Sequence, residues 1–347
     1  MALKIIVTIL ALLLFLIAFV LIRTMLFARK SSKASIPFDY GVPRFKQDPQ
    51  TLAEHLSSVI QIETISHEDA KKDKKENFKV MQAQLAKLYP LVHKQLEKEV
   101  IDGYTLLYTW QGKNPKLNPV VFMAHQDVVP ADEYTLDQWT YPPFSGKIAD
   151  GYIWGRGTMD IKSQLISVFE AVEALIAAKF KPERSIILTF SHNEEVLGTG
   201  AKAVVDHLKA KGIRVEAVID EGGCIYDGII PGIKGLSASI GISEKGYLSL
   251  KMKATSTGGH SSTPAKDTAI GILARAITRL ETHRFPTDVR MVKPMFQGLA
   301  AVASPIMQMA FANLWLFGGL VAKILSSKSE TDATIRTTTA PTLFHSG

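Results

Sequence analysis

His125, Asp127, Asp160, Glu194, Glu195 and Asp220 offer one imidazole among several carboxylates. That mixture suits a hard or borderline divalent metal. Zinc takes His nitrogen and Asp or Glu oxygen, and a catalytic site keeps one position for water. Asp127 stands two residues beyond His125, so on a strand its side chain would point the same way and could accept the imidazole's other N–H. Asp160 is placed to bridge two metals about 3.5–4 Å apart, the spacing that two-metal hydrolases use. Adjacent side chains on a strand alternate, so of Glu194 and Glu195 one is expected to bind metal while its neighbour serves as general base.

Each of these residues has an ordinary reading when taken singly: a surface turn, a solvated helix start, an N-cap. What joins them is the elements that must position them. Pro119 to Ala124 (PVVFMA) reads as a buried strand and leads into His125; Ser185 to Phe190 (SIILTF) leads into SHNEE; Ala217 to Ile219 leads into Asp220. Between the first two strands, Ile161, Leu165, Phe169, Val172 and Ile176 recur at helical spacing through Ile161 to Ala178. Strand, helix, strand, helix, strand predicts a parallel α/β sheet with its carboxyl strand ends on one edge. Ligands of such sheets bind along that edge.

Five blocks extend the pattern: HQDVVP at His125 to Pro130, QWTYPPFSG at Gln138 to Gly146, YIWGRGTMDIK at Tyr152 to Lys162, SHNEEVLGTGA at Ser191 to Ala201 and GGHSSTP at Gly258 to Pro264. Together, and in this order, they resemble the di-zinc aminoacylase and carboxypeptidase S peptidases. The WTYPPFSG and EEVLGTGA variants are similar to the N-fatty-acyl-amino-acid synthase/hydrolase branch. The resemblance implies a mixed, mostly parallel sheet flanked by helices, with an inserted α+β lid and dimerisation domain. It implies two zinc ions: His125 and Asp220 on one, Glu195 on the other, Asp160 between them. Glu194 would be the proton acceptor, Asp127 would orient His125, and His260 would stabilise the oxyanion, often across a homodimer interface. It also implies a cis peptide at Asp160-Ile161. The activity implied is cleavage, and reversible formation, of the amide bond of N-acyl amino acids, with fatty acyl chains favoured, by metal-activated water. Alternatives are a carboxypeptidase or dipeptidase of the same chemistry, or an inactive binding or scaffold protein. The family's second zinc site is completed by a histidine far downstream in a longer chain, which this sequence, ending at Gly347, does not reach. His345 does not stand in that motif context.

The blocks divide the chain into an N-terminal segment 1–30, a linker 31–48, a catalytic domain 49–237 and a partial lid 238–347. Thr51 to Leu96 reads as one or two amphipathic helices, and Tyr152 to Gly157 as a turn whose glycines let backbone approach the metal. In the lid, Leu248 to Ala254 alternates as a strand, Thr268 to Leu280 reads as a helix, and the uncharged Met295 to Ala322 reads as a buried or acyl-lining segment.

Composition fits a folded enzyme: 46% hydrophobic and 21% charged residues in 347 suffice for cores in two domains. The net charge of +7 owes much to KKDKK at Lys71 to Lys75 and to the N-terminal basic residues, so no nucleic-acid partner is expected. The one cysteine, Cys224, excludes an internal disulfide and reads as a small buried residue. Ile5 to Ile22 is uncharged and long enough to span a bilayer. With no small-x-small cleavage site after it, it is expected to be an uncleaved signal anchor giving N-terminal membrane association. Arg23, Arg29, Lys30 and Lys33 outnumber Lys4, which by charge alone would leave the following domain in the cytosol. The resemblance instead implies the secretory pathway, membrane-anchored or secreted.

Overall fold

The structure is a computed structural model that describes residues 1–33, 47–223, 225–227, 236–300 and 302–345. Cys224 and most of the 31–48 linker lie outside them. The chain divides into two compact units, Val42–Glu221 and Met1–Gly41 with Gly222–Gly347.

In the first unit the elements run α2 (Pro49–Ile60), α3 (Lys75–Leu88), α4 (Pro90–Gln95), β1 (Glu97–Ile101), β2 (Thr105–Trp110), β3 (Val120–His125), β4 (Lys147–Ala149), β5 (Tyr152–Trp154), α5 (Ser163–Ala177), β6 (Ile186–Ser191), α6 (Gly200–Ala210) and β7 (Ala217–Ile219), after the N-terminal α1 (Ala2–Lys33) of the second unit. The main sheet has the order β1-β2-β6-β3-β7. β6 and β7 both pair parallel to β3, whereas β1-β2 and β2-β6 are antiparallel. The expected strand, helix, strand, helix, strand series is therefore present, and the sheet is mixed. The carboxyl ends of β3, β6 and β7 fall on one edge.

The side-chain period of two splits the core by face. Ala124, Leu188 and Phe190 pack with Leu165, Phe169, Val172 and Ile176 of α5 and with α2 to α4, while Val121 and Ile187 pack against Val204 and Leu208 of α6. Helices thus cover both faces. Phe169 is fully buried and stacks on Tyr89 and Phe190 at centroid distances of 5.0 and 5.1 Å. Truncating it to alanine is expected to destabilise this unit by about 3–5 kcal/mol, read as a lower urea midpoint.

Three helices, not one or two, occupy 49–95, because Pro90 restarts the chain after Leu88 as the first residue of α4. Two hairpins lie outside the expected strands. β1-β2 turns through Asp102 (φ 51°) and Gly103 (φ 83°), and β4-β5 through Asp150 (φ 55°) and Gly151 (φ 79°). The second has both turn residues left-handed, as a two-residue type I′ loop requires.

In the second unit the described elements after Gly222 are β8 (Ile225–Asp227), β9 (Leu236–Ala238), α7 (Ala269–Thr282), α8 (Lys293–Leu299), α9 (Pro305–Ala312), α10 (Leu314–Leu325) and α11 (Ser329–Ala333). The expected helix is α7, capped by Thr268 Oγ1, which accepts from Gly271 N–H at 3.1 Å. The strand expected at Leu248 to Ala254 is absent: the segment has no ladder partner among the described residues, and Tyr247, Leu248 and Leu250 are exposed. Alternation alone specifies a strand face and supplies no neighbour to satisfy the backbone. Phe296, Phe311, Val321, Leu325 and Ile335 form an apolar cluster of their own here, with Phe296 stacked on Phe311 at 4.1 Å.

Candidate metal centre

His125 is the last residue of β3 and is buried, at 1% exposure. The chain leaves the strand here, so the expected geometry for Asp127 changes. His125 Nδ1 lies 2.9 Å from the Asp127 backbone carbonyl and 3.5 Å from its carboxylate. The carbonyl is the acceptor that fixes the ring with Nε2 facing outward from the edge. The fully buried Asp127 carboxylate instead accepts from Ser66 Oγ at 2.6 Å and from the backbone N–H groups of Glu194 and Glu195, each at 3.1 Å. These bonds tie the Glu194-Glu195 turn to the end of β3.

Three carboxylates from three different segments face Nε2: Asp160 at 3.2 Å, Glu221 at 3.4 Å and Glu194 at 3.7 Å. Ligand atoms of His125, Asp160 and Glu221 all lie within 4.8 Å of one another, the one such group of three or more among the described residues. Glu221, the neighbour of the expected ligand Asp220, is the member of this group. Asp220 is exposed and outside the group. Successive side chains leaving an extended segment point to opposite sides, so only one of this pair turns toward the edge. Glu221 was legible only as the neighbour of an expected ligand.

Asp160 sits in the tight turn Thr158–Lys162, where it and Ile161 are non-helical and their peptide is cis, as the resemblance implies. The Lys162 amine, wholly buried, donates to Val59 O at 3.0 Å and Ile62 O at 2.7 Å, tying this turn to the end of α2. Burial pulls its pKa down to about 7. Lys162 is a positioning residue that sequence reading missed, since a lysine at the start of a helix reads as solvated. The glycines before Asp160 also serve packing: a Cβ on Gly157 (φ +86°) would lie 2.5 Å from Val128 Cγ1, and one on Gly155 2.4 Å from Ile60 Cγ2. Both glycines thus let the Asp160 turn pack closely on Val128 and Ile60. His260 belongs to the second unit, is exposed, and is held locally by Ser262, whose N–H donates to its Nδ1 at 3.2 Å.

The electrostatics call for a cation. Burial raises the Glu194 pKa, helped by Glu221, Asp127 and Asp160 and opposed by His125; burial and then Asp160 push Glu195 up to about 7. Burial lowers the pKa of His125, but the carboxylates of Asp127 and Glu221 outweigh it and carry the group up to about 11. A raised histidine pKa gives stability that is fully present below the ordinary value of about 6.5 and is lost as pH rises through about 11. On this balance of charges, a divalent ion that binds His125 at pH 8 has to displace its proton. Metal uptake is expected to release about one proton at pH 8, and more as pH falls toward the raised pKa of Glu195. Calorimetry in buffers of different ionisation enthalpy measures this. One imidazole with several converging carboxylates fits the donor preferences of zinc or a similar ion.

Residues 121–323 match the sequence profile described as Peptidase family M20/M25/M40. The chain belongs to this family. Among curated M20 relatives, it is 41% identical over 262 residues to "Probable carboxypeptidase S-like 2" of Dictyostelium discoideum, covering 75% of this chain and 50% of that protein. It is 38% identical over 306 residues to "N-fatty-acyl-amino acid synthase/hydrolase PM20D1" of Homo sapiens, covering 87% and 60%. It is 34% identical over 288 residues to "Carboxypeptidase S" of Saccharomyces cerevisiae, covering 79% and 49%. The chain spans about half to three fifths of the length of these relatives. Membership in a metal-dependent peptidase family agrees with the donor set assembled at the sheet edge.

Proposed function

We propose that this chain carries the metal-binding half of a zinc-dependent amidohydrolase that cleaves, and in reverse forms, the amide bond of N-acyl amino acids. The observation that carries the reading is the convergence of His125, Asp160 and Glu221, with Glu194 beside them, at one edge of the sheet. The human relative's name supplies the N-fatty-acyl substrate class, and the yeast relative's name supplies the carboxypeptidase alternative.

His125 and Glu221 would hold one ion, Asp160 would be shared, and Glu195 would serve a second. A divalent ion in such a site polarises the scissile carbonyl and lowers the pKa of water toward neutrality. Glu194 accepts a proton from the attacking water and returns it to the leaving amine; its raised pKa suits it to both tasks. Asp127 keeps the Glu194 and Glu195 backbone in register with His125. His260 donates to the developing oxyanion, and the segment after Gly222 contributes to a lid through which a homodimer forms. α1 has an apolar stretch long enough to cross a membrane; it acts as a signal anchor that places the chain in the secretory pathway, membrane-anchored.

The test compares an N-fatty-acyl amino acid with a free-amine dipeptide as substrates for the zinc-loaded chain. Release of fatty acid with no cleavage of the dipeptide is the expected result. Cleavage of the dipeptide alone selects the dipeptidase alternative, and stoichiometric zinc with turnover of neither selects a binding role.

A further inference from the structure

From Met295 to Ala322 the chain carries no charged side chain. This stretch includes α9 and α10, which bend by 115° at Asn313. At about 1.5 Å per residue the two helices measure about 12 and 18 Å, so neither crosses a hydrocarbon core of about 30 Å. Ile306, Trp315, Leu316, Leu320 and Ile324 are exposed, an unusual run of large apolar side chains for a surface in water.

The bend is packed on α1, whose own apolar side chains are almost all exposed. Phe19 meets Trp315 edge-on at 6.1 Å. Arg23 donates to the carbonyl of Ala312, the last residue of α9, at 3.2 Å. Asn313 is fully buried, and its Nδ2 donates to Met309 O at 2.9 Å and Thr24 Oγ1 at 3.2 Å. These contacts satisfy the Ala312 carbonyl and the Asn313 amide N–H groups where the helix breaks, while the buried Asn313 Oδ1 has no partner among the described residues. They also set a level. The hairpin meets α1 at Phe19 to Thr24, where its apolar stretch gives way to Arg23, which in a spanning helix is the water interface. A tryptophan at that level matches the aromatic belt of membrane proteins.

We propose that α9 and α10 form a hairpin seated at the membrane interface beside the Arg23 end of α1, its exposed apolar face among the upper acyl chains, so that the second unit docks on the membrane by two elements. The proposal rests on the reading of α1 as a membrane-embedded anchor. The occupant of the exposed face is phospholipid acyl chain: the face is uncharged and adjoins α1 at the end of its apolar stretch.

Trp315 is a natural depth probe, because the other three tryptophans, Trp110, Trp139 and Trp154, belong to the sheet unit. The full chain is reconstituted in phosphatidylcholine vesicles with and without brominated acyl chains, and flotation and tryptophan fluorescence are recorded for it and for Trp315→Phe. The expected result is co-flotation of both proteins, quenching of the parent by brominated lipid, and loss of that quenching in the variant. Co-flotation without quenching that depends on Trp315 overturns the hairpin and leaves the anchor standing. Failure to float overturns the anchor and the hairpin with it. Cross-linked dimers with unquenched Trp315 assign the face to a second copy and also overturn the proposal.

Discussion

Glu194→Gln is expected to lower turnover of an N-fatty-acyl amino acid by about 100- to 10,000-fold, with zinc content unchanged. The amide preserves size and leaves the Glu194 N–H bonded to Asp127, so the turn keeps its place. What disappears is the basic oxygen now 3.7 Å from His125 Nε2. Glu194 is half-buried, and burial raises its pKa above the usual carboxylate value, which favours the return of the proton to the leaving amine. Turnover within a few-fold of the parent, at equal zinc content, would assign the proton to another group. The variant also separates chemistry from folding, because a fall in rate with unchanged metal stoichiometry has no structural explanation.

The second large effect distinguishes two neighbours. Glu221→Ala is expected to weaken zinc binding by more than the ~10- to 100-fold that loss of an outer-shell partner costs, whereas Asp220→Ala leaves it nearly unchanged. Glu221 brings a carboxylate to 3.4 Å from the imidazole, in the same group as Asp160, while Asp220 is exposed and outside it. Calorimetric zinc titration of the two variants decides the point. A large loss for Asp220→Ala with little for Glu221→Ala would restore the assignment expected from the sequence and require this strand end to turn by one residue.

Strands β3, β6 and β7 and helix α5 were readable because their signals are local. PVVFMA, SIILTF and the 3.6-residue apolar spacing of α5 each describe a segment against its own surroundings. The hairpins β1-β2 and β4-β5 are marked in the sequence only by Asp102-Gly103 and Asp150-Gly151, turn signals whose charged or short flanks, such as EKEVI, do not read as strands. The strand at Leu248 to Ala254 erred in the other direction, since alternation reports a pleat and not a partner.

From residue order come the candidate donors, the strand ends that hold His125 and Glu194-Glu195, and the sheet edge they share. These follow from apolar periodicity and from which side chains can bind a divalent ion. Folding in three dimensions decided that Glu221 faces the imidazole, that the Asp127 carboxylate holds two backbone amides, and that Lys162 is sealed beneath the Asp160 turn. Each depends on how the chain turns after leaving a strand. A turn of one residue reverses a side chain's direction, and the contacts that fix it come from distant segments, Val59 lying 103 residues before Lys162.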